Sequence, residues 1–220
     1  MLTKIKVFSN IMKSNEDMAL NNRQLFKKYN IPVINMMSSP GSGKTSVLEK
    51  TIEELGKKIN IAVLEGDLQT DRDAQRIAKH EVQVAQINTD GACHLDANMV
   101  NKALSAFDFS KIDLFFIENV GNLVCPAGFD LGENYRVNLV SIPEGDDKVI
   151  KYPVIFRKCD ALLINKMDLL PYISFNLERL KTEALNIRPD MKIFEISCLN
   201  NEGMQEWYKW LEEIVAKKGI

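Results

Sequence analysis

Apolar residues along this chain follow two alternating rhythms. Short, nearly unbroken runs ("IPVINMM", "INIAVLE", "IDLFFIE", "RVNLVSI", "ALLIN" and "KIFEIS") predict strands buried on both faces, with "VQVAQI" a weaker one. Between them, apolar positions recur at helical spacing. One such stretch runs from Ser14 to Tyr29, with Ser14 as a cap, Asp17 in the first turn, and Leu25, Phe26 and Tyr29 on one face. A second runs from Lys44 to Leu55 and stops at Gly56. A third covers "HLDANMVNKALSAF", with Asp90 as its candidate cap, and two more fall at about Ser174–Leu185 and Gly203–Lys217. Strands alternating with amphipathic helices predict βαβ units: an α/β fold with a mostly parallel sheet and helices on both faces. Such sheets take ligands beyond the carboxyl ends of their strands, so the loops there carry the chemistry.

Bulk properties narrow the function classes. At 220 residues the chain suits one hydrophobic core. A net charge of −2 gives no broad basic surface for nucleic acid. The apolar runs are far shorter than the roughly 20 residues that cross a bilayer, and the first residues lack the apolar stretch of a secretory leader. Four cysteines without a paired framework fit a reducing cytoplasm.

"SSPGSGKT" stands between a predicted strand and helix. Ser38 occupies the place where the usual phosphate loop has its first glycine, while Gly41, Gly43, Lys44 and Thr45 keep the pattern. Glycines let backbone N–H groups, here from Gly41 through Ser42 to Ser46, close around phosphate oxygens. Lys44 reaches the β- and γ-phosphates in such loops, and the Thr45 hydroxyl ligates Mg²⁺. The expected fold is therefore a P-loop NTPase, with residues 1–30 a helical N-terminal segment and 31–220 the P-loop domain.

"NKMD", Asn165 to Asp168, follows the strand "ALLIN". The Asp168 carboxylate can accept the two parallel N–H bonds that guanine offers and adenine does not. Lys166 can cover the base face, Asn165 can tie this loop to the phosphate loop, and Ser197 and Cys198 in "SCL" can supply backbone contacts to the guanine oxygen. Two further strands end in acids, Asp67 and Glu118, placed to hold Mg²⁺ or orient the attacking water. Gly121, just beyond, can offer its N–H to the γ-phosphate and make its loop a switch. Lys44, Asp67 and Glu118 form the candidate catalytic set.

Cys93 and His94 are adjacent, and Cys125 lies seven residues after Glu118. Thiolate and imidazole together select late transition metals, Ni²⁺ or Zn²⁺, over Mg²⁺. Three such ligands are too few for a closed structural zinc site. The alternative is buried thiols beside an ordinary imidazole. Cys159 and His80 have no comparable grouping and read as structural.

Taken together, "SSPGSGKT", "GDLQTD", "CHLDA", "IENVGNLVCP" and "LLINKMD" resemble the hydrogenase nickel-incorporation GTPases, the HypB family, over nearly the whole chain. The resemblance implies a cytoplasmic GTPase that dimerises with GTP and delivers nickel to [NiFe]-hydrogenase large-subunit precursors. It further implies an accessory partner, HypA, and a metal site at the dimer interface that maps to Cys93, His94 and Cys125. Residues 1–30 lack the cysteine motif or histidine-rich stretch of some members, so nickel storage is not expected. Two other readings fit the phosphate loop: a small-molecule kinase, and a non-catalytic GTP-locked dimer with structural zinc.

Overall fold

The structure, a computed structural model, describes residues 10–67 and 72–217. Its strands are β1 (Val33–Ser38), β2 (Ile61–Asp67), β3 (Gln83–Asn88), β4 (Leu114–Glu118), β5 (Tyr135–Ser141), β6 (Ala161–Asn165) and β7 (Lys192–Glu195). They form one seven-stranded, wholly parallel sheet in the order β3-β2-β4-β1-β5-β6-β7. The helices are α1 (Asn10–Lys28), α2 (Lys44–Leu55), α3 (Arg72–Ala78), α4 (Ala97–Ala103), α5 (Lys148–Lys151), α6 (Pro153–Arg157), α7 (Leu177–Ile187) and α8 (Met204–Ala216). This is the predicted P-loop NTPase-type α/β architecture. No helix among the described residues is long and apolar enough to cross a membrane.

The sheet is clad on both faces, which explains why its strands read as continuous apolar runs. On one face Ile34, Met36, Val63, Phe116 and Leu139 pack against Val47 and Leu48 of α2 and Trp207 and Leu211 of α8. On the other, Val33, Leu64, Phe115 and Ile117 meet Phe26 of α1 and Val100 of α4. Toward β6, Met37, Val140 and Ile164 pack with Ile155 and Leu180 of α6 and α7.

Local chemistry moves several element ends from their predicted places. Asp90 does not cap a helix: it sits in a left-handed turn with φ 49°, and the following Gly91 has φ 94°. The N-cap of α4 is Asp96, whose carboxylate accepts the Met99 N–H at 2.8 Å. Cys93 and His94 therefore lie in a loop ahead of the helix. The first helix starts before Ser14, and α7 starts later than predicted, capped by Asn176 through the Arg179 N–H at 2.9 Å. The short helices α5 and α6 and the turn Cys125–Gly128 carry no sustained period and were not legible as elements.

α1 is fastened by polar groups as well as by its apolar face. Asn15 accepts the Ala97 N–H at 2.8 Å and donates to the Asp130 carbonyl at 2.9 Å. Asn22, two turns on, donates to the carbonyls of Ala97 and Leu131, both at 3.0 Å. Arg23 grips the Asp130 carboxylate with two 2.8 Å bonds.

Candidate functional site

The nucleotide-sized cleft opens where β1, β2 and β4 end. It measures about 440 Å³ and is lined by Gly41, Lys44, Thr45, Asp67, Glu118 and Gly121, among others. Gly43 is the N-cap of α2 at φ 100°, and a Cβ there would fall 2.5 Å from Asn165 Nδ2. Only glycine satisfies both the backbone angle and that approach. The Lys44 ammonium donates to Ser38 Oγ at 2.9 Å, so the residue that departs from the usual loop is an anchor for the loop lysine. Ser42 Oγ donates to Glu144 at 2.6 Å, and Ser46 Oγ accepts from Arg76, which is also paired with Glu49 on α2. Gly121 packs close to Pro40 of the loop.

Thr45 Oγ1 donates to Glu118 Oε1 at 3.0 Å. Glu65, absent from the sequence reading, stands opposite Glu118 in the β2–β4 register and is equally buried. Burial, then the neighbouring Glu118 carboxylate, push Glu65 well above the ordinary carboxylate range. Burial also raises Glu118, opposed by Lys44 and by its hydrogen bonds to Glu65 and Thr45. Glu65 Oε1 and Glu118 Oε2 have no hydrogen-bond partner among the described residues. Two orphaned carboxylate oxygens beside a hydroxyl form a hard-oxygen donor set that fits Mg²⁺. The strand alternation puts Glu65 on the same face as Asp67, two residues on, but only the register with β4 sets it against Glu118. Asp73 lines the same cleft and pairs with Arg76 at 3.1 Å. Asp71 lies outside the described residues.

At the other end of the loop, Asn165 Nδ2 donates to the Ser42 carbonyl at 2.9 Å. Lys166, left-handed at φ 63°, donates to the Gly41 carbonyl at 2.7 Å. Ser197 Oγ donates to Asp168 Oδ1 at 2.5 Å, fixing the carboxylate's orientation. Cys198 Sγ lies 3.8 Å from Asn165 Oδ1, and burial pushes its thiol up to about 11.

Cys93, His94 and Cys125 come together with their ligand atoms all within 4.8 Å of one another. Two loops bring them there. The one after β3 is pinned by the Thr89 N–H to the Asp67 carbonyl at 2.9 Å, at the very end of β2. The other follows Gly121 and turns at Cys125, with Asn122 Oδ1 accepting the N–H groups of Val124 at 2.7 Å and Cys125 at 3.3 Å. The His94 ring packs against Phe129 with centroids 3.9 Å apart and planes tilted by 35°. A hydrogen bond with Cys125, then burial, raise the Cys93 thiol; burial lowers His94 against the pull of Asp96. A neutral imidazole and two thiols are a soft donor set with room for a further ligand. Cys159 stands apart, fully buried, its thiol pushed up to about 12 by burial.

Residues 32–195 match the CobW/HypB/UreG nucleotide-binding domain family. A hydrogenase maturation factor HypB from Azotobacter vinelandii is 48% identical over 208 residues, covering 94% of this chain and 69% of that one. A crystal structure of HypB from Helicobacter pylori in complex with nickel superposes with a TM-score of 0.88 at 38% identity, over 93% of this chain and 96% of that one. A hydrogenase maturation factor HypB structure from Archaeoglobus fulgidus gives 0.87 at 40% identity, over 92% and 99%.

Proposed function

The chain belongs to the HypB hydrogenase maturation factors, and from that premise we propose that it is a GTP-hydrolysing metallochaperone that carries nickel. The observation that carries the proposal is the cluster of Cys93, His94 and Cys125, whose Cys125 lies on the loop that also lines the phosphate cleft at Gly121. The similarity to a HypB structure in complex with nickel supports nickel as the cargo, with zinc its competitor for the same donors.

In this reading the N–H groups from Gly41 to Ser46 and the Lys44 ammonium hold the phosphates, with α2 presenting its positive end. Asp168, oriented by Ser197, accepts guanine's two N–H groups, Lys166 covers the ring, and the Cys198 backbone faces the guanine oxygen. Thr45, Glu118 and Asp67 would hold Mg²⁺, with Glu65 beside Glu118 in the cleft, and the ion would neutralise charge on the phosphates. Asp67 is placed to orient the water that attacks the γ-phosphate, and Gly121 to offer its N–H there. The metal cluster provides three donors, and a second copy in a GTP-bound dimer supplies the rest of the coordination. Cytoplasmic HypA and the hydrogenase large-subunit precursor are the partners this assignment implies.

Two measurements on one preparation test the proposal. Incubation with GTP should release inorganic phosphate, with no phosphorylated small molecule, and Ni²⁺ should bind at submillimolar concentration. Cys125→Ala should lower Ni²⁺ affinity while GTP affinity stays within about twofold. Phosphate release no faster than from GTP alone would leave a non-catalytic GTP-binding protein instead. Unchanged Ni²⁺ binding in Cys125→Ala would remove the cluster from the account.

A further inference from the structure

Behind the metal cluster runs a chain of buried polar side chains that packing alone does not require. Asn35, in the middle of β1, is fully buried on the face otherwise built from Val33, Phe115 and Ile117. Its Nδ2 donates to Glu133 Oε1 at 3.4 Å, and its Oδ1 accepts from Asn119 Nδ2 at 3.3 Å. Asn119 immediately follows Glu118. Its Oδ1 accepts the backbone N–H of Val120 at 3.0 Å and of Leu95 at 3.1 Å, and Leu95 immediately follows His94.

The other end of the chain reaches the second metal loop. Glu133 makes a buried 2.6 Å ion pair with Arg136. The Arg136 guanidinium donates to the carbonyls of Ala127 at 3.4 Å and Phe129 at 3.0 Å, closing the turn that begins at Cys125. The Phe129 ring carries the His94 imidazole. A leucine at Asn35 would serve the core without the desolvation that an amide incurs. Retaining the amide links three places: the strand end before Gly121, the loop of Cys93 and His94, and the turn of Cys125.

We infer that Asn119, Asn35, Glu133 and Arg136 form a positioning relay through which the state of the nucleotide cleft sets the geometry of the metal cluster. The inference rests on the metallochaperone reading above. When the segment after Glu118 shifts toward a γ-phosphate, Asn119 shifts with it. Its Oδ1 draws the Leu95 N–H and so His94, while its amide, through Asn35 and Glu133, re-aims Arg136 and the turn bearing Cys125. Buried hydrogen bonds of this kind have few alternative arrangements, so a small displacement at one end switches the other rather than fading along the way.

The test is Ni²⁺ titration of the full-length protein loaded with GDP or with a non-hydrolysable GTP analogue, for the wild type, Asn35→Leu and Asn119→Asp. Wild type should show Ni²⁺ affinities that differ about fivefold or more between the two forms, with the same factor recovered when nucleotide affinity is measured with and without Ni²⁺. Asn35→Leu removes both amide bonds at similar volume. It should bring that ratio to within twofold of one, while Ni²⁺ affinity in the GDP form and the affinity for the GTP analogue stay within about twofold of wild type. Asn119→Asp keeps an acceptor for both backbone N–H groups, loses the donor to Asn35, and should also lower the ratio; it carries the test if a thermal melt finds Asn35→Leu unfolded. A wild-type ratio retained in the folded variants would overturn the relay and leave the chaperone reading standing. A ratio of one already in wild type would overturn the coupling, and the relay with it.

Discussion

At the scale of single residues, the strongest constraints are on side chains that hold another group in place. In the proposed function, Asp168 serves a guanine ring in the orientation that the Ser197 hydroxyl imposes. Asp168→Asn should weaken GTP binding by about a hundredfold, the scale expected for losing one partner of a charge-assisted pair, and leave Ni²⁺ binding unchanged. Equilibrium binding of labelled GTP checks it, and retained guanine-over-adenine preference would contradict it. The cysteines should divide by environment. With an alkylating reagent at pH 8, Cys93 and Cys125 should react in the native protein and be protected by Ni²⁺, and Cys159, fully buried and pushed up to about 12, should react only on unfolding. Peptide mapping of the labelled protein decides this; modification of native Cys159 would show that the core around it opens.

The motif residues were readable because each chemistry demands particular types at particular spacings. Glu65 was not, since one acid near the end of an apolar strand is hidden by its neighbours until the register sets it against Glu118. Asn35 was equally hidden: an amide inside "IPVINMM" acquires meaning only from groups that lie far away in sequence, Glu133 and Asn119.

At the scale of elements, α1 bridges the two loops that carry the Cys93–His94–Cys125 cluster. Asn15 and Asn22 bind both Ala97, at the start of α4, and the Asp130–Leu131 segment beyond Cys125. Gly132 lets the helix come that close: at φ 96°, it leaves no room for a Cβ, which would fall 2.7 Å from the Asn22 Cβ and 2.8 Å from the Ala19 carbonyl. Gly132→Ala should therefore destabilise the fold by about 1–3 kcal/mol through steric displacement, with a further contribution from the left-handed backbone. A lowered urea midpoint at unchanged slope is the expected result; an unchanged midpoint would mean that α1 docks without this close approach. The strands and long helices were legible because their periods persist over whole elements. Where period fails, as in α5, α6 and the Cys125–Gly128 turn, only tertiary packing defines the structure. The misplaced start of α4 has a specific cause: Asp90 and Asp96 are both capping residues by type, and the Asp90–Gly91 turn removes the first from contention.

At the scale of the whole molecule, a parallel sheet places the carboxyl ends of β1, β2 and β4 side by side, and the loops leaving those ends build both the phosphate cleft and part of the metal cluster. The loop after β4 is shared: Gly121 lies against the phosphate loop, and Cys125 lies in the cluster four residues later. The loop of Cys93 and His94 is tied back to β2 through Thr89 and Asp67. Neither set of residues can change arrangement without loading the backbone that carries the other. In the proposed reading, nucleotide state and metal affinity are therefore linked quantities, each altering the other by the same factor. The measurement that tests this most directly is isothermal titration of Ni²⁺ into the wild-type protein, once with GDP bound and once with a non-hydrolysable GTP analogue, with molecular mass followed in parallel. The account predicts a change in affinity of about fivefold or more, accompanied by a change in oligomer size. Identical affinity, stoichiometry and mass in the two nucleotide states would contradict it.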